Sequence, residues 1–160
     1  MALDQWNLPM FGIDYLSRQI TFTDSCRYDI GKDDQPDWNK LFGMSFGLFP
    51  TRGIRPAHYG SVRFGWRYNN RVDKIEVAPY YYIKGKRYYP EVNGSTIFGC
   101  HINKPYDFKI DVKNSELTVN RHKWVIKGLE TKSYGWSLPL YFGGNKPVPH
   151  NLEIISNKTA

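Results

Sequence analysis

Between Ser61 and Tyr82 the chain reads SVRFGWRYNNRVDKIEVAPYYY, and its side chains alternate in character on either side of an Asn-Asn pair. A strand repeats every two residues and a helix every 3.6, so alternation this regular points to a β-hairpin with one apolar face. Val62, Phe64, Trp66 and Tyr68 share that face in the first arm; Ile75, Val77, Pro79 and Tyr81 share it in the second. Asn69-Asn70 tolerates left-handed backbone angles, and a two-residue or a four-residue loop buries the same faces. Arg63, Arg67, Glu76, Tyr80 and Tyr82 then fall on the opposite face. Pro79 cannot donate to a ladder, so its strand is expected to be an edge there or to carry a bulge.

The same period recurs along the chain, in residues 17–24, 41–49, 60–69, 73–85, 86–92, 95–102, 106–113, 116–121, 123–128, 134–142 and 151–156. These runs are rich in β-branched and aromatic residues and are punctuated by Gly, Asn, Asp and Pro. In YDFKIDVKNSELTVNRHKWVI, Phe108, Ile110 and Val112 alternate against Leu117 and Val119 across a turn at Asn114-Ser115. No window carries a helical face. A chain of 160 residues is long enough for one well-buried core and short for two. The expectation is an all-β, antiparallel two-sheet sandwich over residues 17–160, with residues 1–16 as an N-terminal arm or extension.

Composition narrows the class. Hydrophobic residues at 41 % and charged residues at 23 % suit a globular domain and exclude a disordered one. The formal charge of +7 is scattered, without a basic run, and no RNA- or DNA-binding motif accompanies it, so nucleic acid is not the expected partner. MALDQWNLPMFGIDYL lacks a basic leader region and an apolar run, so no secretory signal is read there. No stretch approaches the ~20 apolar residues of a membrane span. The expected setting is a cytoplasm, with release by lysis and a place in a virion as the route out. Cys26 and Cys100 are accordingly expected as free thiols.

Motifs for chemistry are sparse. LYFGGNKPVPHNLEI (140–154) has the glycines of a phosphate-cradling loop, but a strand follows where such a loop needs a helix, and GK[ST] is absent. His150 has no adjacent nucleophile or carboxylate. The stretch reads better as a corner: Gly143-Gly144 turns the chain, Pro147 and Pro149 stiffen it, and His150 bonds to backbone at the entry to a closing strand. His58, His101, His122 and His150 show no zinc spacing, and no GxSxG elbow occurs. Asp29, Asp33, Asp34 and Asp37 cluster in a loop with oxygen ligands for Ca²⁺, although a solvated acidic turn is the better reading. No catalytic residue, metal or cofactor is expected.

The series DSCRYDI, DWNKLFGMSFG, SVRFGWRYN, KIEVAPYYYIKGKR, YDFKIDV and LYFGGNKPVPHNLEI, in that order, resembles a family of small uncharacterised proteins from Bacteroides-type bacteria and their phages. That family is in turn similar to concanavalin-A-like jelly-roll sandwiches. The resemblance covers roughly residues 17 to 156, and its motifs are structural; Asn151 stands where the pattern has Asp after the His. Jelly-roll glycosidases that resemble this fold carry a Glu-x-Asp-x-x-Glu strand, whereas Glu76, Glu91, Glu116, Glu130 and Glu153 stand isolated here. The resemblance therefore implies a sandwich without an assigned activity.

Two expectations for function follow. The first is a phage virion component (decoration, fibre or adaptor) acting by protein–protein assembly or attachment, as an oligomer or within a larger assembly. The alternative is a lectin-like carbohydrate-binding module. For a glycan, the candidate face is Arg63, Arg67, Glu76, Tyr80 and Tyr82, where aromatic rings meet sugar C–H surfaces and charges meet hydroxyls. For a virion protein, the candidate contacts are the apolar Trp6, Leu8, Met10 and Phe11 and the exposed loop bearing Arg52, Arg55 and His58.

Overall fold

The structure, a computed structural model, describes residues 7–159. Two antiparallel sheets pack face to face. The first holds β1 (Pro9–Met10), β3 (Asn39–Phe46), β4 (Ser61–Asn69), β5 (Lys74–Ile83), β6 (Lys86–Tyr88), β7 (Phe98–Cys100) and β11 (Gly135–Leu138), in the order β1-β11-β3-β4-β5-β6 with β7 also paired to β5. The second holds β2 (Tyr15–Phe22), β8 (Pro105–Asp111), β9 (Glu116–Val119), β10 (His122–Val125) and β12 (Ile154–Lys158), in the order β10-β9-β8-β2-β12. Runs of consecutive strands are neighbours within a sheet, β3 to β6 in one and β8 to β10 in the other.

The alternation places the core as expected. Phe64, Trp66, Ile75 and Val77 from the first sheet meet Ile20, Phe22, Phe108, Ile110, Leu117 and Val119 from the second, all essentially without solvent contact. Rings dominate the seam: Phe64 stands edge-on to Phe108 at 4.9 Å and Trp66 lies 5.4 Å from Phe22. Cys26 and Cys100 are buried free thiols.

Turn chemistry sets the registers. Asn69 pairs with Lys74, so the β4–β5 loop takes the four-residue option, with Asp73 at φ 50°. Asp111 pairs with Glu116, and Ser115 adopts φ 55° in that loop. The β9–β10 connection is a two-residue Asn120-Arg121 hairpin with Asn120 at φ 52°. Pro79 sits inside a ten-residue strand that is not at the sheet edge. Its outer neighbours are two short strands, β7 opposite Ile75–Val77 and β6 opposite Tyr81–Ile83, and Pro79 occupies the break between them. The strand is thus locally an edge at the one position where an N–H is missing.

Several boundaries differ from the periodicity. KRYYPEV is strand only to Tyr88; Pro90, pre-set for a first helical position, starts α2 (Pro90–Asn93), which Gly94 ends at φ 71°. Pro56 similarly opens α1 (Pro56–Tyr59). β3 begins at Asn39 rather than Leu41, and its register against β4 shifts between Lys40 and Gly43. That bulge turns both Leu41 and Phe42 toward the core. β2 begins at Tyr15, and Pro9–Met10 adds a strand beside β11, held also by Ser137 N–H to the Leu8 carbonyl and Ile13 N–H to the Ser133 carbonyl.

The 140–154 stretch is a corner. Gly143 N–H donates to Asn39 Oδ1, and a Cβ there would stand 2.6 Å from the Trp38 carbonyl, so only glycine fits. A His150 ring nitrogen meets the Ser25 carbonyl at 2.6 Å as the chain approaches β12. Among the described residues no helix is long and apolar enough to cross a membrane.

Candidate recognition groove

The outer face of the first sheet carries a second, smaller cluster of Trp38, Ala78 and Tyr80, flanked by Tyr82 and Tyr89. Cross-strand register builds its seat. Gly65 pairs with Ala78, between the pairs Arg63–Tyr80 and Arg67–Glu76. Two small side chains opposite one another leave a depression, and the Trp38 indole fills it: a Cβ on Gly65 would lie 3.1 Å from Trp38 Cε3. Arg67 closes over the indole, its guanidinium carbon 4.2 Å from the ring centroid.

Arg67 ties three elements together. It donates to Glu76 Oε2 at 2.6 Å, to Glu91 Oε1 of α2 at 2.5 Å, and to the Pro36 carbonyl at 2.8 Å. Trp38 Nε1–H donates to the other Glu91 oxygen at 2.7 Å, and Asn69 to Glu76 Oε1 at 2.7 Å. Burial works against the charged form of Glu91, yet the bonds from Trp38 and Arg67 outweigh it and hold its pKa below the ordinary value.

Beside this clamp opens a groove of about 640 Å³ lined by Trp38, Lys40, Tyr80, Arg87, Tyr89 and Tyr141, with Asp37, Glu91, Gly144 and Asn145 at its rim. Trp38 and Tyr80 are its buried floor; Tyr89 is half-buried, and Tyr141 is 59 % exposed. Tyr80 and Tyr89 stack at 6.0 Å, and Arg87 lies 5.2 Å from the Tyr89 centroid. Lys40 Nζ stands 4.8 Å from the Tyr80 centroid and 5.7 Å from that of Tyr141, and donates to the Trp38 carbonyl at 2.8 Å. Burial, followed by the nearby Arg63 and Arg87 charges, lowers its pKa to about 8, with Asp37 opposing weakly. Arg63 is held by the Leu41 and Pro139 carbonyls; burial lowers its pKa to about 10, and its Nε finds no partner among the described residues.

The five residues expected to form a binding face do share the outer face of the hairpin, with different exposures. Arg63 is committed to backbone carbonyls, Arg67 and Glu76 are committed to each other, and Tyr80 is floor. Tyr82, partly exposed like Arg63, Arg67 and Glu76, stands at the side with its ring 5.5 Å from His58. The exposed groove surface comes from Arg87 and Tyr141, with Lys40 and Tyr89 partly buried beside them. A strand read from residue 41 omits Trp38 and Lys40; their alternation with Asn39 and Leu41 is the available signal. Arg87 and Tyr89 alternate visibly in KRYYPEV, whereas nothing local marks Tyr141.

The other candidates are dispersed. Trp6 lies outside the described residues. Leu8 and Phe11 are exposed, and Met10 packs against the core. Arg52 adopts φ 51° in a bridged Thr51–Ile54 turn; Arg55 caps α1 and His58 lies within it, all three exposed. The acidic loop spends its carboxylates separately: Asp29, exposed like Asp33, caps the Gly31 N–H, Asp34 pairs with Lys146 at 3.2 Å, and a Cβ on Gly144 would meet Asp37 Oδ2. Among the described residues no three His, Cys, Asp or Glu side chains gather as metal ligands do.

No family model, curated protein or solved structure matches this chain.

Proposed function

We propose that the chain is a recognition module without catalytic activity, binding carbohydrate in the groove on the outer face of the first sheet. The observation that carries this is an accessible cleft whose floor and walls are Trp38, Tyr80, Tyr89 and Tyr141, with Lys40 and Arg87 placed to bond hydroxyls. Such a cleft suits a ligand with flat apolar faces and many polar substituents. Glu91 does not favour a hydrolytic reading: both its oxygens are engaged and its pKa is depressed, the reverse of a general acid. Titration calorimetry against a glycan panel tests the proposal. Tyr141→Ala should weaken binding about tenfold, the scale of one aromatic contact. A panel that yields no ligand, or one whose binding survives Tyr141→Ala and Tyr89→Ala unchanged, refutes it.

A second reading, a virion component making assembly contacts, is favoured by a second cleft, which adjoins the groove where Leu41 and Leu140 neighbour Lys40 and Tyr141 in the chain. An apolar cleft of about 530 Å³ opens between the sheets among Leu8, Met10, Leu16, Phe42, Leu140 and Leu152. Mass spectrometry of purified phage particles tests this; absence of the chain from particles refutes it.

A further inference from the structure

We propose that the groove is built for an acidic carbohydrate, a carboxylated pyranose whose anion sits between Lys40 and Arg87. This inference rests on the carbohydrate reading and specifies its ligand.

Charge bookkeeping across the outer face carries it. Arg67 is matched by Glu76 and Glu91. Among the described residues Lys40, Arg63 and Arg87 enter no ion pair, although they lie close enough for Arg63 and Arg87 to oppose the charge on Lys40. Two carboxylates line the groove, and neither pairs with these cations: Glu91 is consumed by Arg67 and Trp38, and Asp37 favours the Lys40 charge only at a distance, less than burial and the two arginines oppose it. A half-buried cationic cleft without a counter-charge is unfavourable alone and complementary to an anion. Lys40 spends one donor on the Trp38 carbonyl, leaving two N–H groups free. Arg87 is exposed at the groove wall, and although one donor of its fork serves Tyr80, the others suit a carboxylate.

The rings favour a sugar over a nucleobase. Stacked bases need bare aromatic faces. Here Arg67 covers Trp38, Lys40 covers a face of Tyr80 and one of Tyr141, and Arg87 lies over Tyr89, so the remaining face of the exposed Tyr141 is the main platform. One platform beside paired donors fits a single acidic pyranose and its neighbour.

The groups facing Lys40 are Asp37 from the preceding loop, Arg63 from β4, Tyr80 from β5, Arg87 beyond it and Tyr141 from the segment after β11. An anion seated there favours the ammonium, so binding should tighten as pH falls through the Lys40 titration and weaken above it.

The test is calorimetry of the full chain with tetragalacturonate, a hyaluronan tetrasaccharide and sialyllactose as acidic probes, cellotetraose and chitotetraose as neutral ones, and an oligothymidylate. At least one acidic probe should bind about tenfold or more tighter than both neutral ones. Lys40→Met and Arg87→Gln should each weaken that probe about five- to twentyfold. Between about pH 6.5 and about pH 9.5 the wild-type affinity should fall while that of Lys40→Met stays level. Because Arg87 is exposed, its variant keeps the test valid if Lys40→Met is poorly folded. Neutral probes bound through Tyr141 with Lys40→Met and Arg87→Gln unaffected would overturn this inference and leave the carbohydrate reading standing. No carbohydrate bound would overturn both, and oligothymidylate bound through Lys40 and Arg87 in preference to every sugar would put nucleic acid in their place.

Discussion

Replacing Arg67 with Met removes the guanidinium that joins β4, β5, α2 and the 31–38 loop while keeping an apolar stem against Trp38. The cost depends on how far water already screens each arm. Arg67 and Glu76 side chains are 14 % and 18 % exposed, near the buried limit, where stranding one partner costs about 3–5 kcal/mol. Glu91 is 47 % exposed, where an ion pair is worth ~0–1 kcal/mol. The Glu76 arm dominates; with Asn69 still bonding Glu76 and the exposed Glu91 arm adding little, the expected loss is about 3–5 kcal/mol. Urea denaturation should show a lower midpoint at unchanged slope. Adding Glu76→Gln should recover about 1–2 kcal/mol, because the only carboxylate then left without its cation is the half-exposed Glu91. Acid should shrink the effect. The Glu91 pKa is depressed, so its contribution is complete above the ordinary value of 4.5 and is lost as pH falls through the folded value. A loss below about 0.5 kcal/mol, or strict additivity with Glu76→Gln, would show that the network is screened and that the clamp does not organise the site.

Trp66 is fully buried between Phe22 and Tyr28, so Trp66→Ala should cost roughly 3–5 kcal/mol; an unchanged denaturation midpoint would contradict its place in the core. Burial pushes the Cys26 thiol to about 11 and Cys100 to about 12, so both should resist a disulfide reagent until the chain unfolds, and rapid native labelling would refute that burial. Lys40 is lowered from 10.5 to about 8, so the unfolded chain holds the extra proton between these values and stability should rise as pH climbs through that window. Lys40→Met should lack the rise and be about 1–3 kcal/mol more stable near neutrality; equal pH profiles for the two proteins would exclude a desolvated amine.

The two-sheet sandwich was legible in the residues because strand periodicity is local. Val62, Phe64, Trp66 and Ile75, Val77 can share a core face in only one way once the hairpin loop has even length, and that face is buried. The corner at 140–154 was legible for the same reason: Gly143-Gly144, the two prolines and the following apolar run specify a bend into a strand whatever packs around it. The outward set Arg63, Arg67, Glu76, Tyr80 and Tyr82 was also placed on the right face. Its accessibility was not, since alternation gives a side and says nothing about what covers it.

Tertiary structure decided the rest. Pro79 tolerates a ladder on both sides of β5 only because β6 and β7, separated by α2, pair with different parts of β5 and leave a break at that residue. Trp38 becomes a floor only where Gly65 and Ala78 meet across two strands, and Arg67 covers it only because Glu91 arrives on α2 from beyond β6. Lys40 and Tyr141 are a hundred residues apart and touch because the chain bridges β3 after leaving β11. Side-chain direction is fixed by neighbours one or two residues away. Exposure, charge balance and groove shape depend on segments that only the completed sheet brings together, so the surface open to a ligand had to be read from the fold.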